Sequence, residues 1–220
     1  MPKVSQEYIA NKKNMIADVA YELCLEKTVS TVTMQDIINR TGLSQGGIYR
    51  FYRDIDEIFA DMLMAIRSKV SIKEQTDEIF SHAHEMLPAE VTFRIFDMLA
   101  DFMTQELLGI AKIDFELSVL AMNAPDRAKK ILAGTNGVGH KEYIIMRAAD
   151  YFTQKLTSGG IQAKVEPAEL ISFISSAYSG ILMSCIVNNC YRKEPMAEEY
   201  EPKALLRTLA HSVNCLLGLE

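Results

Sequence analysis

The chain has 220 residues, a formal net charge of −6 and four cysteines, with 49% apolar and 24% charged residues. That length allows one or two domains with a sizeable buried core, and the ordinary composition excludes a disordered chain, a collagen-like repeat and a disulfide-dense mini-protein. Taken whole, the acidic balance also argues against a nucleic-acid partner.

From the N-terminus, MPKVSQEYIANKKNM carries no apolar h-region and no small-residue cleavage site, so a cytoplasmic location is expected. Cys24, Cys185, Cys190 and Cys215 form no C-x-x-C pair. In that compartment they read as reduced thiols acting as small core hydrophobes. The apolar period is helical nearly everywhere. Ile9, Ile16, Val19, Ala20, Leu23 and Cys24 form one stripe, which predicts an amphipathic helix over 5–27. A short helix is predicted from Met34 to Arg40, a break at Thr41-Gly42-Leu43, and another short helix from Gln45 to Phe51. Asp54-Ile55-Asp56-Glu57 opens a long helix through Ile58, Met62, Ile66 and Val70 toward Phe80. Its leading acids suit the positive end of a helix. Pro88 starts a helix with Phe96, Leu99, Phe102 and Met103 on its face, and Lys112 to Met122 is the next. Pro125 opens a segment broken near Gly134, Gly137 and Gly139. A helix over 141–156 ends at Ser158-Gly159-Gly160. Two more run from Glu166-Pro167 to about Asn189 and from Glu201-Pro202 to about Leu217. The densest apolar run, Ile181 to Val187, is short and contains Ser184, so no membrane span is expected. The expected fold is all-α, with about nine helices.

The stretch from Thr33 to Ile58, TMQDIINRTGLSQGGIYRFYRDIDEI, carries the chemistry. Thr33 and Asp36 form a Thr-x-x-Asp variant of the capping box ahead of Ile37 and Ile38. Gly42 sits where a tight turn needs positive φ, and Ser44 is a good N-cap. Helix, glycine turn and helix make a helix-turn-helix. A surface αα-hairpin with a tyrosine-rich core edge fits the same pattern. Gly46 and Gly47 lie in the second helix, where each costs up to about 1 kcal/mol against alanine at an interior site. Either they pack against another helix, or a bulky ligand approaches the backbone there. A duplex does so at the N-terminal end of a recognition helix. Ile48 and Phe51 point to the core, and Gln45, Gly46, Tyr49 and Arg50 form the opposite face. Gln45 suits adenine, and Arg50 suits guanine or phosphate. Tyr49 and Tyr52 offer hydroxyls to phosphate, and Ser44 with the helix N-terminus adds donors.

The run Thr33…Asp36-Ile37…Thr41-Gly42-Leu43-Ser44-x-Gly46-x-Ile48-Tyr49-x-Phe51-Tyr52 resembles the signature of the TetR (tetracycline-repressor-like) family of transcriptional regulators. The amphipathic helix before it fits as well. A weaker match follows downstream at Gly159-Gly160, Glu166-Pro167-Ala168-Glu169 and Gly180. The resemblance implies a helix-turn-helix DNA-binding domain over 1–54 and a helical regulatory and dimerisation domain over 55–220. It implies a ligand-responsive regulator, usually a repressor, that binds a palindromic double-stranded operator as a homodimer. DNA contacts are then expected from Thr33, Ser44, Gln45, Gly46, Gly47, Tyr49, Arg50, Tyr52 and Arg53. Three residues depart from the family pattern. Thr28 stands where a glycine usually ends the first helix, and Gly47 replaces a small polar residue. Ile55 stands where a phosphate-binding lysine is common, so Arg53 is expected to take its place.

Ser172, Ser176, Gly180 and Ser184 are spaced by four, so they share a helix face. Small side chains there let a partner helix approach closely. Leu205, Leu209, Val213 and Leu217 repeat the spacing on the last helix. The resemblance implies that both stripes build a four-helix dimer interface; intrachain core reads the same way. It also implies a small-molecule effector, largely apolar, bound in the Met-, Phe- and Tyr-rich middle of the chain. The residues expected there are Met62, Phe96, Phe102, Met103, Phe115, Met122 and Tyr151, with Arg67 and Glu116 as polar anchors. Plain core and surface ion pairs are the alternative for these residues. The alternative function is a DNA-binding regulator without a sensor, constitutive or controlled by a protein partner. No nucleophile elbow, phosphate loop, H-E-x-x-H or paired-cysteine pattern occurs, and His82, His84, His140 and His211 form no cluster. No catalytic residue, metal or cofactor is therefore expected.

The charge divides unevenly along the chain. Residues 1–55 hold seven Lys/Arg against six Asp/Glu, a net of +1, which leaves −7 on the other 165. The acidity belongs to the regulatory part. A net of only +1 predicts few ionic contacts per half-site and an affinity that depends on dimerisation.

Overall fold

The computed structural model describes residues 5–69, 72–133, 139–192 and 201–219. Among them are eleven α-helices and no strand. The first six are α1 Gln6–Glu26, α2 Met34–Thr41, α3 Gln45–Tyr49, α4 Ile55–Lys69, α5 Ile72–Ser81 and α6 Pro88–Glu106. The rest are α7 Ile110–Asn123, α8 Pro125–Ala133, α9 His140–Thr157, α10 Pro167–Ile186 and α11 Pro202–Leu217. The chain forms two compact units, Met1–Val70 with Lys112–Gly137, and Ser71–Ala111 with Val138–Glu220. These compact units do not divide at residue 54, where the sequence reading places the domain boundary. The long helix expected over 54–80 corresponds to α4 and α5; Val70, Gly134 and Gly137 lie outside the described residues.

In the first unit, Ser5 caps α1 by accepting the Tyr8 amide, and α1 buries Ile16, Ala17, Ala20, Leu23 and Cys24 on one face. That face packs on α4 and α2. Ile16, Ile37, Ile48, Ile58, Phe59, Leu63 and Ile113 are wholly shielded from solvent. Full burial of one such side chain contributes roughly 1.5–3 kcal/mol.

The end of α1 shows how the chain manages without a glycine at Thr28. Lys27 closes the helix in an extended conformation, with φ −140°. Carbonyls in a last helical turn have no intrahelical donor. Lys112 of α7 supplies one: its Nζ donates to the carbonyl oxygens of Cys24 at 2.6 Å and Lys27 at 3.4 Å. Glu116, one turn along α7, accepts the Val29 amide at 2.5 Å and pairs with Lys112 at 3.0 Å. Both charged side chains are buried. Glu116 is therefore part of the α1 corner rather than an anchor for a ligand.

In the second unit, α11 packs on α6 and α10, and α5 packs on α9 and α6. A π-helical turn, Val187–Tyr191, follows α10. Gly218 ends α11 at φ +70°, a left-handed conformation. A β-carbon there would lie 2.3 Å from the carbonyl oxygen of Gln162. Only glycine fits both the dihedral and the close approach.

Candidate nucleic-acid interface and apolar cavity

The α2–turn–α3 hairpin is fixed by short-range hydrogen bonds. The Asp36 amide donates to Thr33 Oγ1 at 3.2 Å, and the Thr33 amide donates to Asp36 Oδ2 at 2.9 Å. Lys27 lies 2.7 Å from the same carboxylate. The lysine first, then the Thr33 hydroxyl and amide, hold the Asp36 carboxyl down at about 2. Gly42 turns the chain at φ +68°, and its amide returns to the Ile38 carbonyl at 3.1 Å. Ser44 Oγ accepts the Gly47 amide at 3.1 Å and starts α3.

Ile48 is fully buried and pins α3 to the core. Gln45, Gly46, Tyr49 and Arg50 stand exposed on the other side, with Thr33, Ser44 and Arg53 also at the surface. The two glycines separate here. A β-carbon on Gly46 would meet nothing within 4 Å, so no internal packing requires a glycine. A β-carbon on Gly47 would stand 3.2 Å from Ser44 Oγ and 3.7 Å from Leu43 Cβ, so Gly47 sits against the cap.

Tyr52 requires a correction. It is 2% exposed, with its hydroxyl donating to Asp61 Oδ2 at 2.8 Å and the Lys13 ammonium over its ring at 4.8 Å. Burial and that carboxylate both push its hydroxyl pKa up. The cause is local: α3 stops at Tyr49, and the turn that follows swings Tyr52 inward. It is a core residue and offers no hydroxyl to phosphate.

Charge at this face is sparse. Lys13, Lys27 and Arg40 are held by Asp61, Asp36 and the Glu22/Glu26 pair. The side chains of Arg50 and Arg53 form no ion pair among the described residues, although the Arg53 amide donates to Glu57 Oε2 at 2.9 Å. Next to Arg53, Asp54 accepts the amides of Asp56 and Glu57 at 3.0 and 3.2 Å, which caps α4. Lys130 and Arg127 of α8 neutralise this acidic corner, at 2.5 Å from Asp54 and 2.8 Å from Asp56. No local motif signals those two cations, since they lie 76 and 71 residues further along the chain.

The second unit contains an apolar cavity of about 190 Å³. Side chains of α6, α9 and α10 build most of its wall. Of the residues expected at a ligand site, Phe96 and Phe102 line it. The others do not. Met62 is core of the first unit, and Arg67 pairs with Asp114 at 3.0 Å. Phe115 is half-buried on the part of α7 that belongs to the first unit, and Met122 is 76% exposed. Met103 is buried away from the cavity, and Tyr151 packs its ring on Phe80 and Phe152. The lining that sequence reasoning missed is on α9: Ile144, Ile145, Ala148, Ala149 and Phe152. Their helical spacing marks one face, but small alanines draw less notice than methionine and phenylalanine.

The two stripes of the terminal helices also separate. Leu209, Val213 and Leu217 of α11 are buried inside the unit, and Leu205 is half-buried. This stripe is α11's packing on α6 and α10, so those buried leucines and valine are not free for a partner. On α10, Ser172, Ser176 and Gly180 are exposed and Ser184 is half-buried. Ile171, Phe173 and Met183 are exposed beside them. Pro167–Tyr191, 25 residues, is long and apolar enough to cross a membrane by length and composition, although its central run Ile181 to Val187 is not. Only 17% of its most apolar window is buried within the chain.

Comparison with known proteins places these features. A family profile described as bacterial regulatory proteins, tetR family, matches residues 16–62. The uncharacterized HTH-type transcriptional regulator YfiR of Bacillus subtilis (strain 168) is 21% identical over 198 residues, covering 90% of this chain and 89% of that protein. Among solved structures, a protein of Mesorhizobium loti MAFF303099 described as a TetR-family transcriptional regulator superposes with a TM-score of 0.63. It is 16% identical, with 95% of this chain and 96% of that chain covered. Salmonella enterica GusR superposes with a TM-score of 0.56 at 15% identity, with 98% of each chain covered. At such identities the structural likeness concerns the fold.

Proposed function

We propose that this chain, whose residues 16–62 match the tetR family profile, is a TetR-family DNA-binding transcriptional regulator, specifically a cytoplasmic, ligand-responsive repressor. It binds a palindromic operator as a homodimer and is released by a small, largely apolar molecule. The observation that carries the reading is the pairing of two sites in one chain. One unit presents Gln45, Gly46, Tyr49 and Arg50 on an exposed helix face, and the other contains an apolar cavity of about 190 Å³.

The roles follow from chemistry. Gln45 reads a base edge, with adenine its best bidentate partner, and Arg50 takes guanine or a phosphate. Arg53, Ser44, Thr33 and Tyr49 supply backbone contacts that set register. Gly46 lets the duplex approach the α3 backbone. The exposed apolar face of α10 supports a second copy as partner, because monomeric proteins rarely leave so continuous an apolar surface in water. A two-fold dimer places two α3 helices about one DNA turn apart, roughly 34 Å.

Release is a population shift. The effector binds best to a conformation whose two α3 helices no longer match successive major grooves. By linkage, effector and operator weaken each other's binding by the same factor. The test is selection of bound duplexes from a random pool, followed by sedimentation of the complex. The expected result is a palindromic site carrying two chains. An asymmetric site that carries one chain contradicts the reading.

A further inference from the structure

The cavity wall restricts what it can hold. Resting on the reading of this cavity as the effector site, we propose that the effector is a small uncharged molecule. It has the bulk of about one ring and bears few hydroxyl or carbonyl groups.

Size sets the first limit. An engineered cavity of about 150 Å³ lined by Leu, Ile and Phe admits benzene, and this one measures about 190 Å³. One ring with a short substituent fits. Sites for drug-sized ligands start near ~300 Å³, so fused polycyclic and nucleotide-sized molecules are too large.

Charge sets the second limit. No Asp or Glu lines the cavity, so a cationic guest finds no counter-charge. On the other sign, the lining holds one lysine, Lys141, in the first turn of α9 beside His140. Lys141 is exposed to water. The positive end of α9 already has its own carboxylate: Glu142 Oε2 lies 2.1 Å from where a β-carbon on Gly139 would stand. An anionic guest would therefore lose its hydration with its one lysine partner standing in water, and stranding a charge in an apolar site is unfavourable.

Polar capacity sets the third limit. The Thr92 hydroxyl is spent on the Pro88 carbonyl at 3.2 Å. Ser175, half-buried on α10, lines the cavity with a hydroxyl that has no partner among the described residues. Thr153, exposed on α9, and Tyr178, half-buried on α10, add two more hydroxyls to the lining, and apart from His140 and Lys141 the rest of the wall is Phe96, Phe102, Phe152 and aliphatic side chains.

A matched series of one ring in different charge states tests this on the full chain by calorimetric titration at neutral pH. The probes are benzyl alcohol, toluene, benzoate and benzylammonium. Benzyl alcohol is expected to bind at least ~10-fold more tightly than either ion. Ala148→Phe fills the cavity and is expected to abolish that binding with the thermal unfolding temperature retained. Ser175→Ala is expected to weaken benzyl alcohol and leave toluene unchanged. Tighter binding of benzoate or benzylammonium than of benzyl alcohol overturns the proposal, and so does failure of all four to bind. The regulatory reading is tested separately with the selected duplex. If benzyl alcohol binds preferentially and duplex affinity stays constant, the ligand class stands and the cavity's role in regulation fails.

Discussion

Gly46 gives the proposed DNA-reading surface its sharpest single-residue test. Nothing inside the protein fills the space its β-carbon would take, yet glycine weakens a short helix. Gly46→Ala should therefore hold or raise the thermal unfolding temperature, with up to about 1 kcal/mol of added helix propensity. The same methyl group faces the approaching duplex, so affinity for the selected operator should fall about tenfold or more, the scale of losing ~1.4 kcal/mol. Unchanged affinity in a gel-shift titration contradicts the role. Both glycines stand out in the sequence as costly, but the sequence cannot tell open space from contact with Ser44. Tyr52 failed for a similar reason. The aromatic pair Phe51-Tyr52 is legible, whereas which of the two turns inward depends on where α3 ends. Asp36 gives a pH prediction. Its carboxyl titrates at about 2 in the folded chain, below the ordinary 3.8. A lowered folded pKa means stability that is complete above about pH 4 and lost as pH falls toward 2. Urea unfolding at a series of pH values should show that acid limb, and Asp36→Asn should flatten it.

At the scale of elements, spacing reveals faces and tertiary structure decides their partners. Both terminal helices carry a stripe of period four. The α11 stripe is large and apolar and turns into its own unit, while the α10 stripe is small and remains exposed. If α10 is the dimer face, Ser176→Arg should shift sedimentation to a monomer with unchanged helical circular dichroism. A dimer that persists contradicts that interface. The end of α1 gives a second case. The missing glycine at Thr28 is visible in the sequence, but its replacement by Lys112 is not, because the two lie 84 positions apart. Lys112→Met strands Glu116 in the core and leaves the Cys24 carbonyl without that donor. Breaking a buried pair in this way costs about 3–5 kcal/mol. Lys112→Met with Glu116→Leu removes both charges and should recover much of that loss in urea unfolding. Equal loss in the single and double variants would mean that the ion pair is not what holds the corner.

For the whole molecule, the net charge of −6 is a poor guide to the partner. The N-terminal 55 residues are close to neutral, and internal acids occupy Lys13, Lys27 and Arg40. Among the described residues up to 55, Lys12, Arg50 and Arg53 remain for phosphate, about six cations in a dimer. With each neutralised phosphate adding about −0.9 to the slope, log affinity should fall with log salt at a slope near −5. The all-α fold and the reading helix were legible because helical periodicity and a short motif are local signals. The cavity was not, because α6, α9 and α10 assemble it from distant segments.

The central claim is that the exposed face of α3 reads DNA sequence. The most direct measurement is the affinity of wild type and Gln45→Ala for the selected operator and for duplexes substituted one base pair at a time. Wild type should lose about 1–3 kcal/mol at one base pair in each half-site, and Gln45→Ala should bind those duplexes nearly equally. If Gln45→Ala discriminates at every position as well as wild type does, α3 does not read sequence in this way.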